Sequence, residues 1–157
     1  MQRVRAFAAA VVCVMSTALL VPTSAPAQVR FGFRGGAYSN HPDPFVGVDA
    51  ILPLAQRLRF DPNVEMVFGD SADDLAVSAD FLYDVERLAD TAAWIGLGPT
   101  VIFHDPKPST LDNETRLGLD LIAGAALSKT AWYTPYVQVK LVLANRTRLA
   151  FVFGLRL

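Results

Sequence analysis

The chain has 157 residues, 52% of them hydrophobic, with 14 basic and 15 acidic side chains. That balance, with no Lys/Arg cluster and no nucleic-acid motif, excludes a nucleic-acid partner. Cys13 is the only cysteine, so disulfides and thiolate metal sites are excluded as well.

The chain opens on a segment that is not part of the fold. Arg3 and Arg5 give a charged start, "AFAAAVVCVMSTALLV" an apolar run, and "PTSAPA" the small residues of an A-x-A cleavage site at Ala25 and Ala27. This is the layout of a secretory signal peptide, with cleavage expected after Ala27. Cys13 lies inside the apolar run, not at the cleavage point as a lipoprotein would require. Residues 1–27 are thus read as a signal peptide and 28–157 as one barrel domain. Removing Arg3 and Arg5 leaves 12 basic against 15 acidic residues. No stretch of 28–157 approaches the roughly 20 apolar residues of a spanning helix.

From residue 29 on, apolar and polar residues alternate with period two. Eight such segments follow one another at 29–38, 44–54, 57–68, 74–85, 91–103, 115–127, 132–143 and 147–157. A strand places successive side chains on opposite faces. The third segment, "RLRFDPNVEMVF", shows it plainly: Arg57, Arg59, Asp61, Asn63 and Glu65 share one face, and Leu58, Phe60, Val64, Met66 and Phe68 the other. The connections fall into two sets. "AQ", "ERLAD" and "SKTA" alternate with the more polar "SNHPDP", "GDSADD", "HDPKPSTLDNE" and "ANR". An up-and-down antiparallel barrel of eight strands puts the two sets at opposite ends. Short periplasmic turns and longer outer loops are the pattern of transmembrane β-barrels.

One face carries Arg30, Arg34, Asp49, Arg57, Arg59, Asp61, Glu65, Asp80, Asp84, Arg116, Asp120, Lys140, Arg148 and Arg156. Gly32, Gly36, Gly47, Gly96, Gly98, Gly118, Gly124 and Gly154 fall on that same face. Glycine weakens a strand and needs a reason to be there. A narrow eight-strand lumen supplies one, because its interior has room only for the side chains that fill it. Long Arg and Lys side chains fit if neighbouring positions are nearly empty, and mixed signs let them pair. The charged face is therefore read as a lumen charge network, with Trp94 and Tyr136 beside it, and the apolar face as the one that meets lipid. Phe31, Tyr83 and Tyr133 at one end and Phe68 and Phe103 at the other suit two interfacial aromatic girdles. Pro62, Pro99 and Pro135 lie within strand segments on the apolar face, where β-bulges are expected.

The signal peptide, the eight alternating segments, the small-and-charged face and the C-terminal strand "RLAFVFGLRL" together resemble the small outer-membrane β-barrels, the OmpA-like, OmpX-like and opacity-type proteins of Gram-negative bacteria. The last strand is similar to the signal read by the barrel assembly machinery, although the usual final Phe is here Leu157. The resemblance implies an all-β, eight-stranded antiparallel transmembrane barrel in the bacterial outer membrane. Its implied partners are outer-membrane lipid, lipopolysaccharide and, during insertion, the assembly machinery.

Some such barrels modify lipid A with a His and a Ser two apart on one strand face. Here Pro106 stands two residues after His104, and no G-x-S-x-G occurs. His104, Ser109 and Asp105 or Glu114 could be assembled on paper, but His104 reads as a solvated loop residue. The outer loops are acidic, with Asp43, Asp70, Asp73, Asp74, Asp105, Asp112 and Glu114, yet "DSADD" lacks the spacing of an EF-hand. No catalytic residue, metal site or cofactor is assigned. The expected role is structural or interactive, a membrane scaffold displaying polar loops. The alternatives are a small passive channel, a lipid A-modifying enzyme, and a soluble periplasmic lipocalin-like binder with its faces reversed.

Overall fold

A computed structural model describes residues 29–39, 42–88, 91–107, 114–127 and 132–157. The signal segment, His41, Ser109, Asp112 and the "SKTA" turn lie outside these residues. Eight strands follow in chain order: β1 (Arg30–Tyr38), β2 (Asp43–Pro53), β3 (Leu58–Phe68), β4 (Ala72–Leu88), β5 (Thr91–Pro106), β6 (Glu114–Ala126), β7 (Thr134–Leu143) and β8 (Arg148–Arg156). Each pairs antiparallel with the next, and β1 pairs with β8 to close the barrel. The closing seam runs from Gly32 opposite Arg156 to Tyr38 opposite Ala150. No helix among the described residues is long and apolar enough to cross a membrane.

Alternation sets the faces. On β8, Ala150, Val152, Gly154 and Arg156 are buried while Phe151 and Phe153 are exposed. On β7, Tyr136, Gln138, Lys140 and Val142 are buried, and Val137 and Val139 are exposed. The inside is therefore the face bearing the charges, and the outside is greasy. Ala50 and Leu52 on β2 and Pro62 and Val64 on β3 have the outward parity yet are buried; Val29 and Phe60 pack against the first two.

Glycine makes this interior possible. Gly124 stands directly opposite Trp94, and Gly154 directly opposite Tyr136. A Cβ on Gly124 would lie 2.6 Å from the indole ring, and one on Gly154 would lie 2.2 Å from the phenol ring. Each aromatic ring thus lies on its partner's bare backbone, the cross-strand arrangement in which an aromatic covers a glycine. Gly36 serves the seam instead, since a Cβ there would fall 1.8 Å from the Phe151 carbonyl oxygen.

Two sequence expectations are corrected. Pro62, Pro99 and Pro135 produce no bulge. Register is unchanged from Asp49–Asn63 to Leu52–Phe60 across Pro62, and from Ser78–Thr100 to Phe81–Leu97 across Pro99. Each proline drops a hydrogen bond to one neighbour, and the ladder on the other side holds the strand in line. The register shift lies at Asp84/Glu86, where Val85 is the extra residue. Beyond it β4 and β5 stay paired to Leu88–Thr91, so most of "ERLAD" is strand. At the other end their pairing reaches Ala72–Pro106, which puts Asp73, Asp74, His104 and Asp105 on the ladder instead of in loops.

Candidate functional site in the barrel interior

The interior has three levels. The start of β1 and the end of β8 lie at one end of the barrel, the terminal end; the end of β1, the start of β2 and the corresponding ends of β3 to β8 lie at the other, the loop end.

At the terminal end Arg156 of β8 ties the level together. Its Nε donates to Asp49 Oδ2 at 3.1 Å, and its Nη2 stands 3.4 Å from Asp61 Oδ2. The guanidinium lies 4.0 Å over the Tyr136 ring, whose hydroxyl donates to Asp49 Oδ1. Arg59 pairs with Asp84 and lies 5.0 Å over the Trp94 ring. Trp94 Nε1 donates to Gln138 Oε1. A cation between a carboxylate and an aromatic face gains from both.

At mid-height Glu65 of β3 is the hub. Lys140 Nζ donates to its Oε2 at 2.6 Å, Tyr38 Oη donates to the same oxygen at 3.0 Å, and Arg34 Nη2 lies 3.1 Å from Oε1. Lys140 also stands 3.7 Å from Asp120. Ser78 Oγ donates to Asp120, and Asn63 Nδ2 donates to Asp80. Glu65, Lys140, Asp80 and Asp120 are all fully buried. With Trp94, Tyr136 and Phe45, they fill the lumen with side chains.

At the loop end the interior widens into a cavity of about 530 Å³. Asp74 of β4 forms its floor, held at 2.5 Å by His104 Nδ1 and at 2.6 Å by Arg148 Nη1. Arg116 donates to Glu114 at 2.6 Å. Lys107 pairs with Asp73 on the outer rim.

Most of the charges named from sequence therefore come together: Arg34, Asp49, Arg59, Asp61, Glu65, Asp80, Asp120, Lys140 and Arg156 in the lumen, Arg116 and Arg148 at the mouth. Arg30 and Arg57 do not join them. Both are exposed at the terminal end, Arg30 as the first residue of β1 and Arg57 in the turn before β3. At a strand's limit there is no neighbouring wall to enclose a long side chain. His104 is not a solvated loop residue; it is part-buried and bonded to Asp74. The carboxylate bonded to its ring is that of Asp74. Ser71 lines the same cavity, but no hydroxyl is hydrogen-bonded to His104 among the described residues. Tyr38, Ser78 and Gln138 join the network without being candidates in the sequence. They share the parity of the charged residues, and that signal alone would have found them.

No protein-family model matches the chain, and no curated protein matches it. Solved structures do. The N-terminal β-barrel domain of Pseudomonas aeruginosa OprF superposes with a TM-score of 0.71 at 11% identity, over 82% of this chain and 94% of that one. Neisserial surface protein A superposes with a TM-score of 0.63 at 12% identity, over 82% and 93%. A designed transmembrane β-barrel follows at 0.54 and 14%, over 87% and 100%. The chain shares the closed eight-stranded antiparallel fold of these small barrels, with its charges inside and its apolar side chains outside.

Proposed function

We propose that this protein is an integral outer-membrane barrel with a structural and interactive role, presenting its loop end outside the cell and carrying out no catalysis. One observation carries the reading: the charged face is buried and the apolar face is exposed. A water-soluble barrel needs the reverse, so the lipocalin-like alternative does not fit. The outward apolar run spans about ten residues, from Leu75 to Val85 on β4 and from Leu117 to Leu127 on and beyond β6. At about 3.3 Å per residue and a strand tilt near 40°, that is a band of roughly 25 Å, the height such barrels present to lipid. Phe31, Tyr83, Trp132 and Tyr133 are exposed near the terminal end, and Phe68 and Phe103 near the loop end. These are the places for interfacial aromatics. Trp132 is the most exposed of them, at 85%.

The partners that fit are outer-membrane lipid and lipopolysaccharide around the band, and the assembly machinery at the C-terminal strand. Export by the signal peptide, with cleavage after Ala27, supplies the route. The filled lumen favours a scaffold over a passive channel. Planar-bilayer recording tests this: a scaffold gives no steps above the bilayer baseline, and steady ion conductance would overturn it. Lipid A from cells expressing a His104→Ala variant should match that from cells expressing the parent, whereas a lost modification would favour the enzyme.

A further inference from the structure

In a closed ring of eight strands, elements four places apart face each other across the axis. At the floor of the loop-end cavity this opposition is bridged, for Arg148 of β8 reaches Asp74 of β4. Above the floor it is not. Asp43 begins β2 and faces β6, which carries Arg116. Asp70, in the β3–β4 turn, faces Arg146 in the β7–β8 turn. All four line the cavity. Among the described residues, no ion pair joins either acid to either arginine, and Arg116 turns to its own neighbour Glu114. One wall thus carries Asp43 and Asp70 and the facing wall carries Arg146 and the Arg116–Glu114 pair, with about 530 Å³ between them. That volume lies in the range of small-molecule sites.

The lining holds Asp43, Asp70, Asp74 and Glu114 against Arg116, Arg146 and Arg148, with His104 besides. Near-balance gives little net pull on a simple anion or a simple cation. A molecule carrying both charges, one at each end, meets complementary walls in a single orientation.

We propose that the loop-end mouth of the barrel binds a small zwitterion, with its acidic group on the Arg116–Arg146 wall and its ammonium group on the Asp43–Asp70 wall. Guanidinium forks take phosphate or carboxylate oxygens in paired hydrogen bonds, and carboxylates accept from an ammonium. The Arg148–Asp74–His104 floor stops the ligand above the lumen. The inference rests on the mouth opening outward as proposed above. The two fail separately, because binding to purified protein does not depend on orientation in a cell.

The test is calorimetric titration of the purified chain, folded in non-ionic detergent, with phosphoethanolamine, and with inorganic phosphate and ethanolamine as single-charge probes. Phosphoethanolamine should bind about tenfold tighter than either fragment, a difference of about 1.4 kcal/mol. Asp70→Asn and Arg146→Gln, each shown to be folded by its heat-dependent gel mobility, should each remove most of that advantage. The paired reversal of Asp70→Arg with Arg146→Asp should restore it. Phosphate or ethanolamine binding as tightly as the zwitterion, no binding by any probe, or folded single variants that bind like the parent would each overturn the proposal.

Discussion

On β3, Asp61, Asn63 and Glu65 point inward and are completely buried, while Phe68, at the same strand's end, is 45% exposed on the other face. In a soluble barrel the first set would sit in water and the second would make the core. Here Asp61 is held by Arg156, Glu65 by Lys140, Arg34 and the Tyr38 hydroxyl, and Asn63 by Asp80, whereas the outward set makes only apolar contacts such as that of Phe60 with Phe81. The inner face needs particular neighbours at particular positions; the outer face needs only to be apolar and of the right height. Substitutions should therefore be judged by different rules on the two faces.

The largest effect should come where an inward position has no room at all. Gly36→Val places a Cβ against the Phe151 carbonyl at the closing seam, so the compact, heat-modifiable gel band should be lost. Next, Glu65→Leu leaves Lys140 and Arg34 buried without their carboxylate. Breaking a buried pair from one side costs about 3–5 kcal/mol, to be read from urea unfolding in micelles followed by tryptophan fluorescence. On the other face, Leu121→Arg puts a charge in the middle of the apolar band, at about 2–4 kcal/mol. Arg59→Gln, which neutralises a part-exposed inner charge, should cost less than Leu121→Arg in the same measurement; equal tolerance of the two would erase the distinction between faces. The smallest effect belongs to Lys107→Gln. It removes a rim pair with Asp73, and exposed pairs are worth about 1 kcal/mol or less.

The strand alternation made the fold legible from sequence, because period two is a local property that neighbouring residues display together. The glycines told which face is inside, and the reason is now visible: Gly124 and Gly154 lie under Trp94 and Tyr136. What depends on cross-strand neighbours was harder to read. The prolines looked like bulges because their missing donors are local facts, while the ladder that compensates on the far side is not. Arg30 and Arg57 have the lumen parity, yet parity says nothing about where a wall ends. His104 looked like a loop residue because "HDPKP" resembles turn chemistry. Only the β4–β5 register shows that it stands opposite Asp74. The mouth itself, with Asp43 and Asp70 on one side and Arg116 and Arg146 on the other, is assembled from separate elements and has no signature in any one of them.

The central claim is that this barrel wears its apolar face outward, in lipid. Membrane fractionation of cells expressing the full chain, followed by gel electrophoresis with and without boiling, tests it most directly. The protein should be found in the outer-membrane fraction, released only by detergent, with a compact band that shifts on heating. A soluble periplasmic pool that stays in solution without detergent would contradict it.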